Sequence, residues 1–123
     1  MDGKARILLV EDEDAIRKIS ARYLQKVMGD NAEIQCASSA EEALEHLSRQ
    51  EFDLVVTDNN MSGLTGLQLI AQCQEDHPDL KIILMSGRLT QLINDNQIPE
   101  GVRTIAKPFT LEELHALIKE ALT

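Results

Sequence analysis

The chain has 123 residues, a length that is typical of one domain with its own hydrophobic core. Aromatic residues make up only 2% of it, which implies an aliphatic core and excludes the base-stacking surfaces that bind single-stranded nucleic acid. The formal net charge of −9 disfavours direct contact with nucleic acid and with an anionic membrane surface.

The sequence shows no sign of export or of membrane insertion. The first apolar run is far shorter than the core of a signal peptide, and no stretch approaches the ~20 apolar residues of a membrane span. Cys36 and Cys73 lie far apart and outside any metal-binding pattern, so we expect two buried, reduced thiols. We therefore expect a cytoplasmic protein that makes no membrane contact.

Short apolar runs alternate with helical patterns along the chain. Runs of a few residues rich in Ile, Leu and Val are typical of strands that a parallel sheet buries on both faces. The second run alternates Ile34 and Cys36 with polar residues, which indicates an edge strand. The five predicted strands are Ala5–Val10, Ala32–Ala37, Phe52–Thr57, Lys81–Ser86 and Val102–Ala106.

Helices are predicted between these runs. Helical spacing places five residues of the first helix on one apolar face: Ile16, Ile19, Tyr23, Leu24 and Val27. Capping boxes, in which a Ser or Thr precedes a Glu by three residues, mark two helix starts. They pair Ser39 with Glu42 and Thr110 with Glu113.

The resulting order is a β-α unit repeated five times. Right-handed crossovers then give one doubly wound parallel sheet with helices on both faces. The sequence predicts an α/β three-layer sandwich with strand order 2-1-3-4-5, formed by a single domain over residues 1–123.

Polar residues follow four of the predicted strands and meet at one edge of such a sheet. Glu11 and Asp12 follow the first strand, Asp58 the third, Ser86 ends the fourth and Lys107 follows the fifth. Each alone has an ordinary explanation, such as a turn, a helix cap or a solvated charge. Their convergence at the edge where ligands bind favours a functional site.

The residue types at this edge indicate phosphoryl chemistry that depends on a metal ion. Carboxylates together with a backbone carbonyl form a hard-oxygen site that suits Mg²⁺. A carboxylate such as Asp58 can attack a phosphoryl group and carry it as an acyl phosphate. Lys107 and the metal would neutralise charge, and the Ser86 hydroxyl would donate to a phosphoryl oxygen.

Four segments complete the pattern: ILLVEDEDAIR, FDLVVTDNNMSGLTGLQLI, IILMSG and AKPF. With these motifs the chain resembles the receiver domain of two-component response regulators, of the chemotaxis-regulator type, over essentially its whole length. The resemblance implies a flavodoxin-like fold and phosphoryl transfer from a sensor histidine kinase or phosphotransfer protein. It further implies signalling to an output partner or domain, and no enzyme activity beyond the domain's own phosphorylation and dephosphorylation.

The same resemblance implies a role for each residue at the sheet edge. Asp58 is the implied phosphoacceptor, and Asp12, Asp58 and the Asn60 carbonyl are the implied Mg²⁺ ligands, with Glu11 acting through water. Ser86 is the implied switch hydroxyl. The remaining implied features are a phosphate-contacting Lys107 and a cis Lys107-Pro108 bond.

Three positions depart from the usual receiver pattern. Ser62 replaces a proline in the loop after the phosphoacceptor, which predicts a less rigid loop. Thr104 replaces the aromatic residue that usually couples to the switch hydroxyl, which puts an aromatic readout in doubt. The Asn-, Gln- and Pro-containing segment 94–99 predicts a fourth helix that is short or mobile.

Two other functions fit parts of the pattern. A Mg²⁺-dependent phosphohydrolase with Asp58 as nucleophile shares the chemistry, but position 60 is Asn rather than a second acidic residue. A degenerate receiver that binds partners without phosphorylation would not need the full set of acidic, hydroxyl and lysine groups.

Overall fold

The computed structural model describes residues 3–123, and every predicted apolar run contains a strand. The strands are β1 (Ala5–Val10), β2 (Ala32–Ala37), β3 (Leu54–Asp58), β4 (Lys81–Ser86) and β5 (Arg103–Ala106). The helices are α1 (Asp14–Met28), α2 (Ala40–Arg49), α3 (Gly66–Asp76), α4 (Leu89–Asn94) and α5 (Leu111–Leu122). A short 3₁₀ turn, Gly29–Asn31, joins α1 to β2.

All five strands are parallel and lie in the order β2-β1-β3-β4-β5, which confirms the predicted fold class. The chain reverses its direction of travel across the sheet between β1 and β3, the position at which doubly wound sheets bind ligands. β2 is an edge strand, as its alternating pattern predicts. β5 is the opposite edge and is only partly buried, so the prediction that it is covered on both faces is wrong.

Helices cover both faces of the sheet and form a three-layer sandwich. On one face, α1 and α5 pack against Ile7, Leu9 and their neighbours in the sheet. On the other face, α2 and α3 pack against strand residues that include Leu8 and Val55, and Leu92 of α4 joins them. The two aliphatic clusters explain how the fold is stabilised with so few aromatic residues.

The predicted apolar face of α1 is only partly correct, because Leu24 is buried as predicted whereas the two predicted isoleucines are not. The helix buries Ser20, Leu24 and Met28, whereas Ile16 and Ile19 are 40% and 61% exposed. The buried residues are spaced by four, so they form a line that is rotated around the helix axis from the predicted face. Ser20 belongs to this line although its polar side chain gives no hydrophobic signal.

The predicted helix starts are only partly correct. Thr110 and Glu113 form the predicted reciprocal capping box. Ser39 accepts a hydrogen bond from the Glu42 amide, but the Glu42 carboxylate accepts from the amide and hydroxyl of Ser38 instead of closing the box. The preceding serine lies closer to that carboxylate and offers it two donors.

The two cysteines differ in burial although both are free thiols. Burial raises the pKa of Cys73 to about 11, so this thiol stays protonated in the core. Cys36 is only half-buried because β2 is at the sheet edge, which corrects its predicted burial. Within residues 3–123, no helix combines the length and apolar character that crossing a membrane requires.

Candidate functional site

Backbone hydrogen bonds continue the sheet beyond the strand ends and fix the site at one edge. The Glu11 amide donates to the Ala37 carbonyl at 3.1 Å, and the Asn59 amide donates to the Met85 carbonyl at 3.0 Å. The Lys107 amide donates to the Ser86 carbonyl at 2.9 Å. Residues from four separate β-α units are therefore held next to one another by the sheet itself.

Three carboxylates meet at this edge. One oxygen from each of Glu11, Asp12 and Asp58 lies within 4.8 Å of the others. Glu11 and Asp58 are each only 3% exposed, whereas Asp12 is exposed at the rim. Such an arrangement is electrostatically costly unless a cation is close, because like charges repel strongly where water is excluded.

Lys107 supplies one positive charge to this cluster. Its Nζ lies 3.2 Å from Asp58 Oδ2 and 3.6 Å from Glu11 Oε1. The cis Lys107-Pro108 bond that the resemblance implied is present. With all three carboxylates ionised, one lysine leaves two negative charges unbalanced.

The oxygen atoms of the cluster suit a metal ion of matching chemistry. Glu11 Oε1 and Asp58 Oδ1 are buried and have no hydrogen-bond partner in the part of the chain that the structure describes. Buried polar atoms almost always have a hydrogen-bond partner or a bound ion, so two unpartnered oxygens in one cluster indicate a site for a cation. Hard carboxylate oxygens on three residues suit Mg²⁺, which is usually held by one or two carboxylates and completed by water.

Burial of the Glu11 side chain raises its pKa above the ordinary value. Its hydrogen bond from the Glu13 amide and the charge of Lys107 act in the opposite direction, and the nearby Asp58 and Asp12 charges add to the rise. Glu11 is thus a carboxylate whose charged form is poorly supported by the protein alone. A divalent cation would supply that support.

We therefore expect Glu11→Gln to stabilise the metal-free protein at neutral pH by about 1 kcal/mol or more, since it removes a buried charge. Because the pKa of Glu11 is raised on folding, its protonated form favours the native state. The cost in the wild type consequently appears as pH rises through the folded-state pKa and vanishes below the ordinary value.

Urea denaturation in the presence of a chelator checks this prediction at neutral and acidic pH. Glu13→Gln, an exposed neighbour in the same loop, is the matched control and should not alter stability. A stability gain of the Glu11→Gln variant that persists unchanged in acid would contradict the prediction.

Ser86 and Asn60 lie on the side of the site that faces α4. The buried Ser86 hydroxyl oxygen accepts a hydrogen bond of 2.9 Å from the Arg88 amide, just before α4 begins. Asn60 is exposed in the loop after β3 and, together with Ser86 and Arg88, lines a cavity of about 220 Å³. Asn59, the residue that follows Asp58, also lines this cavity, which therefore opens beside the end of β3.

Sequence patterns missed the residues that support the end of β3. The Asn59 side chain accepts a hydrogen bond from the Leu67 amide at 3.0 Å, and the Asn59 carbonyl accepts from the Gly66 amide at 3.2 Å. Thr65 and Gln68 form an additional capping box at the start of α3. The Thr-x-x-Gln spacing could have predicted this cap, whereas nothing in the sequence marks the contacts of Asn59.

Gly66 brings α3 into direct contact with the backbone at the end of β3. A Cβ at this position would lie 2.5 Å from the Asp58 carbonyl oxygen and 2.7 Å from the Asn59 Cα. We expect Gly66→Ala to destabilise the fold by about 1–3 kcal/mol, as overpacking usually does. Urea denaturation checks this against Gly87→Ala, where a Cβ meets nothing within 4 Å, and equal stabilities of the two variants would contradict it.

The sequence as a whole matches a known protein family. The model of the response regulator receiver domain family matches residues 7–119. The chain belongs to the response regulator receiver domain family. It is a receiver domain of the kind found in two-component systems, and its acidic pocket fits a Mg²⁺-dependent phosphoacceptor.

Individual relatives agree with this assignment. The chain is 36% identical to the sensor kinase CckA of Brucella abortus over 99% of its own length, but it spans only 13% of that kinase. It is 30% identical to the response regulator receiver protein CpdR of the same organism, covering 95% of this chain and 96% of CpdR. Related sequences thus include both receivers within longer proteins and receivers of about this length.

Solved structures show the same fold. The response regulator TrrA from Thermotoga maritima, in complex with Mg²⁺ and BeF, superposes with a TM-score of 0.84 at 31% identity. The alignment covers 96% of this chain and 99% of TrrA. The presence of Mg²⁺ in that structure agrees with the magnesium site that the acidic cluster indicates here.

Proposed function

We propose that this receiver domain takes a phosphoryl group onto Asp58 and changes its surface in response. The observation that carries the proposal is the state of the Asp58 carboxylate. One oxygen is paired with Lys107 at 3.2 Å, while the other is buried without a partner inside an acidic cluster. A carboxylate held in this way is positioned as a nucleophile beside a site for a cation.

In the proposed reaction an Asp58 oxygen attacks the phosphorus of a phosphohistidine on the donor protein. The new P–O bond forms as the P–N bond breaks, and the imidazole nitrogen leaves with the electron pair. Glu11, Asp12, Asp58 and the Asn60 carbonyl would hold Mg²⁺, which when bound supplies positive charge to the carboxylates and phosphoryl oxygens. Lys107, which contacts Asp58 and Glu11, neutralises further charge.

Ser86 links the acceptor to α4 in this proposal. Its hydroxyl oxygen accepts from the Arg88 amide, and its hydrogen is free to donate to a phosphoryl oxygen on Asp58. A shift of Ser86 toward the phosphoryl group would pull on the backbone immediately before Leu89, where α4 starts. α4 has only six residues, so it offers little resistance to repacking of this surface. Because Thr104 replaces the usual aromatic residue, this change at Ser86 would be transmitted without the movement of an aromatic side chain.

The test is incubation of the metal-free protein with acetyl phosphate, with and without Mg²⁺. Intact mass spectrometry should show the gain of one phosphoryl group only when Mg²⁺ is present. No gain under Mg²⁺ would overturn the proposal.

A phosphohydrolase would instead release phosphate continuously from many monoesters, which we do not expect because Asn60 provides no second acid or base. We propose accordingly that the chain is not an enzyme beyond its own phosphorylation and dephosphorylation.

A groove beside α1 is the surface that we assign to the phosphodonor, a sensor histidine kinase or phosphotransfer protein. A cavity of about 460 Å³ is lined by apolar side chains that include Ile16, Ile19 and Phe109, and by Glu11 and Lys107 of the site. The groove is therefore continuous with the acceptor pocket. A helix that carries phosphohistidine could bury its apolar side here while its histidine faces Asp58.

The charge of α1 supports a protein partner at this groove. Lys18, Arg22 and Lys26 are exposed on the same helix in a chain whose net charge is −9. This local cationic surface would attract the acidic face of a donor protein. The net negative charge of the whole chain argues against direct binding of nucleic acid. The signal is therefore proposed to pass to a protein partner or a linked domain.

Ile19→Glu tests this docking surface because the residue is 61% exposed and takes no part in the chemistry of Asp58. Purified histidine kinases of the source organism, autophosphorylated beforehand, serve as donors. Transfer from any kinase that phosphorylates the wild type should fall steeply in this variant, whereas labelling by acetyl phosphate should be unchanged. Equal transfer from the kinase would refute the assignment.

Because a donor kinase presents its phosphohistidine to the cytosol, we place the domain in the cytoplasm.

A further inference from the structure

Arg17, near the start of α1, joins the β1–α1 connection to the first turn of the helix. Its Nη1 donates to the Glu11 carbonyl oxygen at 2.9 Å, and its Nη2 pairs with the Asp14 carboxylate. Only 14% of the side chain is exposed, which is unusual for an arginine on a surface helix. The planar guanidinium group, with its several donors, allows one side chain to make both contacts at once.

Arg17 completes the set of contacts that fixes Glu11. The Glu11 amide donates to the Ala37 carbonyl, and Glu11 Oε2 accepts from the Glu13 amide at 3.2 Å. The hydrogen bond from Arg17 adds the third anchor, on the carbonyl between Glu11 and Asp12. The buried Oε1 of Glu11 is left without a hydrogen bond and faces Lys107 inside the acidic cluster.

Arg17 also reaches toward the β2–α2 turn. Hydrogen bonds from the Ser38 amide and hydroxyl lower the pKa of Glu42, and the positive charge of Arg17 acts in the same direction. The positive charge of Arg17 therefore acts on the β2–α2 turn as well as on the β1–α1 loop that it contacts directly. This position suits a residue that holds the backbone in place better than it suits an isolated surface charge.

We propose that Arg17 is a positioning residue for the magnesium site: by holding the Glu11 carbonyl, it sets where the Glu11 and Asp12 carboxylates point. The proposal rests on the proposed function, because it concerns the same metal site. The proposal predicts that Arg17 changes the Mg²⁺ affinity in the direction opposite to that expected from its charge. A cation next to an acidic site weakens Mg²⁺ binding by repulsion, whereas a residue that orients the ligands strengthens it.

Magnesium titration by calorimetry on the metal-free chain separates these two effects. Arg17→Met keeps the length of the side chain but loses the charge and the donors, and we expect it to weaken Mg²⁺ binding about tenfold, as loss of a supporting contact around a metal site commonly does. Lys18→Met removes the same charge from the adjacent, exposed position and should leave the affinity unchanged or slightly tighter. An Arg17→Met affinity equal to or tighter than that of Lys18→Met would overturn the proposal.

Two further variants exclude a purely structural role. Asp14→Asn removes the ion pair of Arg17 but leaves its hydrogen bond to Glu11, so Mg²⁺ affinity should stay within about twofold of the wild type. Arg17→Lys retains the charge and one donor and should recover part of the affinity. It also provides the measurement if Arg17→Met does not fold, since a wild-type affinity in Arg17→Lys would then count against the proposal.

The outcome for Arg17 is distinguishable from the fate of the proposed function. Wild-type protein that binds Mg²⁺ and accepts a phosphoryl group, together with Arg17 variants of unchanged affinity, would defeat only the inference about Arg17. Wild-type protein that binds no Mg²⁺ would defeat both.

Discussion

Replacing Asp58 with asparagine is expected to yield a folded protein that takes up no phosphoryl group from acetyl phosphate. The amide keeps the size of the side chain and can still accept a hydrogen bond from Lys107, which lies 3.2 Å from Asp58 Oδ2 in the wild type. It lacks the anionic oxygen that attacks phosphorus. Intact mass spectrometry under Mg²⁺ measures the loss directly, and the expected residual labelling is none.

The nature of the linkage provides a second measurement. A phosphoryl group on a carboxylate is an acyl phosphate, so hydroxylamine should release it and mark the peptide that contains Asp58. Asp79→Asn is the matched control, because Asp79 is an exposed aspartate before β4, at the opposite end of the sheet. Labelling of the Asp58→Asn variant at the wild-type level would show that another residue is the acceptor.

The fold could be predicted because its determinants are local. A parallel sheet buried on both faces leaves continuous aliphatic runs, and the alternation of these runs with helices allows few topologies. The positions of Glu11, Asp58, Ser86 and Lys107 follow from the same logic, since the carboxyl ends of parallel strands share an edge. Their roles in phosphoryl transfer stay predictions until they are measured.

The orientation of α1 shows where sequence patterns fail. Ile16 and Ile19 have the spacing of a core face, yet the sheet lies against Ser20 and Leu24. Hydrophobic periodicity identifies a helix but not the side on which a neighbouring element packs, particularly when a small polar residue is buried. The exposed isoleucines instead line the groove beside the acidic cluster.

The supporting contacts of the site could not be predicted for a different reason. Arg17 and Asn59 act through backbone carbonyls and amides of residues that come close only in the folded chain. Such contacts need no particular partner residue type, so no motif records them. Gly66 is similar, because its lack of a side chain matters only where α3 meets the end of β3.

Asp12→Asn is expected to weaken Mg²⁺ binding about 100-fold or more, because even the loss of an outer-shell contact commonly costs about 10–100-fold in metal affinity. Asp12 is the exposed member of the acidic cluster, so its replacement should leave the core and the free energy of unfolding nearly unchanged. Calorimetric titration of the metal-free protein gives the affinity. Glu13→Gln removes an adjacent exposed carboxylate outside the cluster and should bind Mg²⁺ as the wild type does.

Lys107→Met should move the same measurement in the opposite direction. Three ionised carboxylates and one lysine leave two negative charges in the pocket, which one divalent cation balances. Without Lys107 the pocket carries three, so Mg²⁺ should bind more tightly, while phosphorylation should slow because one positive charge beside Asp58 is lost. If both Asp12→Asn and Lys107→Met weakened Mg²⁺ binding, the pocket would depend on the geometry of the ion pair rather than on charge balance.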